Sequence, residues 1–292
     1  MYDICCIGHI TLDRVVTSTT DKHMAGGTSF YFSKALRNME LNHGLVTAIA
    51  DSEMSFVEDL RSEGTAVIVF PSAKTVYFEN IYSAKLDHRT QRVLQESDSF
   101  TVAQLDAIEA QIFHLGPLLA NDISIDLIKS LSAKGKVSLD VQGYLREVKD
   151  QSVIAVDWAA KKEALAYVHI VKADEAELEV LTGIKGIHAG SRELAAWGVK
   201  EIVVTRASLG SVVYADGIFY DIPAFKPEVE VDATGCGDTY MAGYLYSRVN
   251  GAGVQDSGEF GAAMASLKIQ SSGPFNGTKE NILNLLSLAK ES

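Results

Sequence analysis

The chain has 292 residues, 47% hydrophobic and 22% charged, with a net charge of −12. That is the composition of a globular protein with ample core, long enough for one large α/β unit plus a small appendage. The negative charge argues against a nucleic acid or an anionic membrane as partner. No apolar run reaches membrane length and no signal peptide opens the chain. Its three cysteines, two of them adjacent at Cys5 and Cys6, make no disulfide framework, so a reducing cytoplasm is the expected compartment.

Residues 2–7 form a short apolar run closed by Gly8, which predicts a buried strand. Asp13 follows soon after, in the region where open α/β sheets bind ligands; it is a candidate ligand residue or a turn-former. His9 either orients Asp13 or is a satisfied loop histidine. Residues 15–20 read as an edge strand. Gly26-Gly27 then opens a helix that carries Tyr31, with Thr28 and Ser29 near its cap. Strands are predicted over 46–50 and 65–70, with a helix over 53–63 between them. Stretches 75–84 and 90–95 alternate apolar and polar residues around the charged turn 85–89, which predicts a hairpin with one solvated face. His88 and Arg89 read as a solvated turn.

Alternating strands and helices then resume: a strand over 112–115, a helix over 123–131 and a strand over 136–139 ending at Asp140. Gln142 and Arg146 follow. A strand over 167–171 leads to Asp174 and Glu177, whose spacing of three places them on one helical face and also fits a capping box. A strand over 202–205 ends in Thr205-Arg206-Ala207-Ser208-Leu209-Gly210, where Ala207 is acceptable only if its φ stays negative. Residues 211–214 and 218–222 form a hairpin around Asp216-Gly217. Helices are predicted over 240–249, 256–269 and 280–289.

The chain's most informative stretch is Asp232-Ala233-Thr234-Gly235-Cys236-Gly237-Asp238. Two glycines around one small residue, at the start of a helix, bring backbone N–H groups and the positive end of a dipole to one point. That is an anion site. Asp238 at its mouth is either an N-terminal cap or a base that takes a proton from a hydroxyl attacking a phosphate. Cys236, at a helix N-terminus where thiolates are stabilised, is expected to be the most reactive thiol. Asp232 is expected to brace the turn.

This string resembles the C-terminal signature of the PfkB/ribokinase family of carbohydrate kinases, with Ala233 in place of a threonine and Cys236 in place of an alanine. Weaker matches run the length of the chain. The resemblance implies a three-layer α/β/α sheet, mostly parallel, forming a single domain over 1–292. It also implies a small β lid from about 13–20 and 75–96. It further implies ATP-dependent phosphorylation of an alcohol on a sugar or polyol, of the ribose, fructose or inositol kind. Asp238 would be the base, with Gly235, Cys236 and Gly237 as the anion hole. Asp13, Gly26, Gly27, Tyr31 and Gln142 would hold the acceptor; Tyr31 stands where the family carries asparagine, which changes the sugar contacts.

On the donor side, Asp174, Glu177, Thr205, Ala207, Gly210 and Arg146 would bind nucleotide and phosphate, and the loop 271–274 would close on the adenine. Mg²⁺ would bridge the ATP phosphates, with Glu177 acting on it through water. A monovalent cation and a homodimer through the lid belong to the same expectation. The competing readings are a nucleoside kinase and a non-catalytic sugar- or nucleotide-binding member of the fold. A dinucleotide-binding oxidoreductase would need a Gly-x-Gly-x-x-Gly after the first strand, which this chain lacks.

Overall fold

The computed structural model describes residues 1–17, 20–82 and 89–290. Its strands are β1 (Tyr2–Ile7), β2 (Thr11–Val16), β3 (Asp21–Gly26), β4 (His43–Ile49), β5 (Ala66–Pro71), β6 (Val76–Tyr82), β7 (Arg89–Gln95), β8 (Ala110–Leu115), β9 (Lys136–Asp140), β10 (Arg146–Lys149), β11 (Ser152–Ala155), β12 (Ile170–Asp174), β13 (Glu201–Thr205), β14 (Ser211–Ala215) and β15 (Ile218–Ile222). Nine of them make the main sheet, in the order β15-β14-β13-β12-β9-β8-β1-β4-β5. Neighbours from β13 to β5 are parallel, and β14–β15 turns back as the predicted hairpin. A strand covered on both faces must be apolar throughout, and Ile4 to Ile7 in β1 are all buried.

One face of the sheet is closed by α1 (Thr28–Leu36), α2 (Met54–Ser62), α8 (Cys236–Val249), α9 (Val254–Lys268) and α10 (Lys279–Lys290). The other is closed by α3 (Val102–Leu105), α4 (Ile125–Ser132), α5 (Lys161–Leu165), α6 (Glu175–Thr182) and α7 (Ile187–Ala196). This is the expected three-layer α/β/α fold. No helix among the described residues is long and apolar enough to cross a membrane. α7 was not among the predicted helices, and Gly190 inside it is a poor helix former. The glycine lets α7 approach α6: a Cβ there would stand 2.9 Å from Leu178 Cγ.

A second sheet, in the order β10-β11-β7-β6-β2-β3, lies over the C-terminal ends of the parallel strands. Strands fall within both expected lid stretches, and β3, β10 and β11 join them. The strand expected over 15–20 starts earlier, at Thr11, and β3 rather than β2 forms the edge; residues 18 and 19 lie outside the described residues, as do 83–88 with His88. The lid's own core is small: Val76, Phe78, Val93, Leu118 and Leu119.

Candidate active site

Between lid and body lies a cavity of about 740 Å³, walled among others by Asp13, Tyr31, Asn80, Gln142, Arg146 and Asp238. Its floor is the start of α8. Gly235 is the N-cap there, in the left-handed region at φ 76. A Cβ at that position would also fall on the Tyr31 ring, so both backbone and space demand glycine. Gly237 and Asp238 belong to the first turn, where the helix supplies no acceptor for N–H. The amide of Cys236 is different: it already donates to Ala233 O at 3.1 Å. The predicted anion hole is therefore built from fewer free amides than the glycine pattern suggests.

Asp232 braces the approach to this turn. Its Oδ1 accepts from Thr234 N at 2.9 Å and its Oδ2 from Gly273 N at 3.3 Å, and the buried Lys268 Nζ lies 3.4 Å from Oδ2. Burial opposes the charge on Asp232, but these donors win and hold its pKa below the usual range. Ser272, in the loop expected to close on adenine, lines the cavity.

Asp238 is set differently. Burial and then the neighbouring Asp140 carboxylate push its pKa up to about 7, against the opposing pull of Lys172, Thr28 and Arg146. Thr28, the first residue of α1, hydrogen-bonds Asp238 and accepts from Gln142 Nε2 at 3.0 Å. Gln142 N in turn donates to Asp140 Oδ1 at 3.1 Å. The acid at the end of β9 and the acid of α8 are thus joined through Gln142 and Thr28. Asp140 also accepts from Lys172 Nζ at 2.9 Å.

On the lid side, Asp13 lies on β2, where Oδ1 accepts from Thr11 Oγ1 at 2.6 Å. A Cβ on Gly26 would strike the Asp13 carboxylate, which accounts for the first glycine; Gly27 at φ 92 is the N-cap of α1. Asn80 on β6 and Gln91 on β7 stand directly opposite each other, with Gln91 Nε2 donating to Asn80 Oδ1 at 3.1 Å, and both line the cavity. His9 does not reach Asp13. It is buried with Nδ1 3.2 Å from Ala48 O, stacks on Phe100 and lies 3.6 Å from Asp122, so it is a packed histidine.

The cavity therefore gathers Asp13, Gly27, Tyr31, Gln142, Arg146, Gly235 and Asp238, with Gly26 behind Asp13. Asp174, Glu177, Thr205, Ala207 and Gly210 are not on its wall; they cluster at the ends of β12 and β13, where Asp174 pairs with Thr205. Asp174 and Glu177 form the capping box, each side chain accepting from the other's N–H at 2.7 and 2.8 Å. Ala207 corrects its expectation: its φ is +48, in the left-handed region, while Gly210 at φ 87 packs onto the Ile222 carbonyl. The loop Arg206-to-Gly210 is closed by Arg206 N on Gly210 O at 2.8 Å, and that ring holds the alanine in place.

Cys236 sits at the helix start, where burial pushes its thiol up to about 11 and Sγ faces Ala265 O at 3.8 Å, so the helix end does not lower it; it is still the least buried and least shifted of the three thiols, Cys5 being pushed up to about 12 and Cys6 well above the usual thiol range. Sequence reasoning missed Thr28, Asn80, Gln91 and Lys172 as site residues. A polar residue repeatedly facing one side of an alternating strand was the available signal for Asn80 and Gln91.

A family model of pfkB family carbohydrate kinases matches residues 95–281, well over half of the chain. The cytidine kinase of Thermococcus kodakarensis is 29% identical over 261 residues, covering 85% of this chain and 90% of that one. A pyrophosphate-dependent kinase of the ribokinase family, solved with a pyrophosphate analog and myo-inositol, superposes with a TM-score of 0.85 at 29% identity, covering 96% of this chain and 99% of that one. A pyrophosphate-dependent myo-inositol-1 kinase, converted by two substitutions into a myo-inositol-3 kinase, superposes at 0.86 with 27% identity, covering 99% of this chain and 100% of that one. With its glycine-capped α8 and the Asp238 cavity beneath a β lid, the chain belongs to the pfkB family of carbohydrate kinases.

Proposed function

We propose that the protein transfers a phosphoryl group from a phosphoanhydride donor to a hydroxyl of a small sugar or cyclitol. The observation that carries this reading is the place of Asp238, a carboxyl on the cavity wall at the first turn of a helix, where burial and Asp140 push its pKa up to about 7. Its carboxylate takes the hydroxyl proton as the alcohol oxygen forms a bond to phosphorus and the anhydride P–O bond breaks. The N–H groups of Gly237 and Asp238 and the α8 dipole face the charge on the transferred group.

The acceptor contacts are Asp13, Gln142 and the Asn80–Gln91 pair, which present several polar atoms to a molecule rich in hydroxyls. ATP and inorganic pyrophosphate share the terminal phosphoanhydride that this site would cleave. The pyrophosphate-dependent neighbours support the second donor and the family resemblance the first. Among the described residues no group of three or more His, Cys, Asp or Glu is arranged to hold a metal. Mg²⁺ would enter on the donor's phosphate oxygens, with Glu177 acting through water, and would offset their charge.

A nucleoside is the second reading. It is favoured by the cytidine kinase relative and by the apolar side chains Met24, Phe78 and Leu118 on the cavity wall, which suit the face of a base. Turnover measured with ATP and with pyrophosphate, each against myo-inositol, ribose, fructose and cytidine, separates the readings. Turnover on a cyclitol or sugar supports the first, and turnover confined to cytidine supports the second. Binding of these compounds without turnover on any would make the protein a non-catalytic binder and overturn both.

A further inference from the structure

A buried lysine, Lys172, stands behind the start of α8 and away from the reacting atoms. Lys172 lies on β12 with Asp140 of β9 on one side and Val203 of β13 on the other, and it is 8% exposed. Its Nζ is 2.9 Å from Asp140 Oδ2 and 3.9 Å from Glu177 Oε2. On its other side Nζ stands 3.4 Å from where a Cβ on Gly237 would be, so only a bare glycine separates the ammonium from the phosphoryl cradle.

That position is an uncomfortable one for a cation. Burial disfavours its charge, and the positive end of the α8 dipole repels it. Asp140, Glu177 and Asp238 outweigh the burial and keep the ammonium more basic than an ordinary lysine. The groups facing Asp238 come from several elements: Asp140 on β9, Lys172 on β12, Thr28 on α1, Arg146 at the start of β10, Cys6 on β1 and Cys236 on its own helix. Of these, Lys172 is the cation with a direct salt bridge to the second acid, Asp140. Asp140 is 1% exposed, so without Lys172 it would be a buried carboxylate lacking its ion-pair partner.

We propose that Lys172 is a positioning residue for phosphoryl transfer: its ammonium holds Asp140 as a fixed partner, leaves Asp238 as the acid of the pair that receives the acceptor's proton, and sets positive charge behind Gly237 where the transferred group gathers. The inference rests on the phosphotransferase reading. It predicts that a cation of fixed charge at this position, and not merely a side chain that fills the space, supports the rate.

The test compares Lys172→Met, Lys172→Arg and the double variant Asp140→Asn with Lys172→Met, using the donor and acceptor on which the wild-type chain turns over. Folding is checked by circular dichroism. In Lys172→Met, kcat should fall by about 100-fold with little change in acceptor KM. The acid limb of its pH–rate profile should move, because Asp238 has lost a cation and Asp140 its ion-pair partner. Lys172→Arg should restore the limb and recover about tenfold of the rate. If Lys172→Met does not fold, the double variant removes the unpaired carboxylate, and its kcat should remain about 100-fold down. A folded Lys172→Met or double variant with the wild-type kcat overturns the inference. So does a fall in kcat with an unmoved limb and no recovery in Lys172→Arg, which marks a packing role. A wild-type chain without turnover overturns the phosphotransferase reading and this inference with it; turnover in the wild type with no effect at Lys172 overturns this inference alone.

Discussion

A base that must take a proton from an alcohol works best when its own proton affinity is close to that of the medium. Asp238 meets this condition because burial and Asp140 raise it to about 7. Activity should therefore rise across pH 7, and a kcat/KM profile with its acid limb near 4 would show that an unperturbed carboxylate limits the reaction. The same shift has a consequence for stability. The folded-state pKa lies above the unfolded value of 3.8, so the group favours folding at low pH, and that contribution is lost as pH rises from about 4 through 7. At about 1.4 kcal/mol per unit, ionised Asp238 costs the fold a few kcal/mol at pH 8. Asp238→Asn should melt higher than the wild type at pH 8 by several degrees and near it at pH 4, while kcat falls ~10²–10⁴-fold. Equal melting offsets at both pH values, or a near-normal kcat, would contradict the assignment. At this scale the sequence was informative where function is packed into one string: Asp232, Gly235 and Asp238 lie within seven residues. Lys172 was not legible, since its partner Asp140 lies 32 positions away and only the register of β9 against β12 brings them together.

The start of α8 and the lid strands show how elements aim these side chains. Gly235 must be left-handed and must leave room for Tyr31, so Gly235→Ala should cost about 1–3 kcal/mol and most of the activity. Calorimetry that finds this variant as stable as the wild type would mean that the ring and the turn adjust freely. On the lid, Asn80 and Gln91 are paired across β6 and β7 with their amides toward the cavity. Losing either amide should change the relative kcat/KM among acceptors by about tenfold, one hydrogen bond's worth. An unchanged acceptor profile in Asn80→Ala and Gln91→Ala would assign the pair to lid stability. Most of the parallel strands were legible because they are largely apolar and too short for a helix, although β12, expected over 167–171, runs from Ile170 to Asp174. Strands β3, β10 and β11 were not. Arg146-Glu147-Val148-Lys149 carries three charges in four residues, and it becomes a strand by pairing with β11, a long-range fact that local composition does not hold.

At the scale of the molecule, the body and the lid are unequal. Two large clusters of buried residues hold the sheet between its helices, whereas among the described residues the lid's cluster has five buried side chains. Phe78 and Leu118 belong to the lid's core and also line the cavity, so an acceptor bound there would complete that core. Acceptor binding should therefore slow amide hydrogen exchange in β6 and β7 more than in β1, β8 or β9. Uniform protection, or none in the lid, would show that the lid is already closed on its own packing. The lid's connectivity also sets a schedule for synthesis. β2 pairs in parallel with β6, which begins some 50 residues after β3 ends, and β7 waits for β11 on the far side of β8 and β9. At roughly 5–20 residues per second, the first hairpin leaves the ribosome seconds before its partner strand exists. Contacts of such long range form late. The roof over the cavity is thus completed only after β8 and β9 have been made, and until then the nascent chain carries an exposed strand edge that a chaperone would have reason to hold.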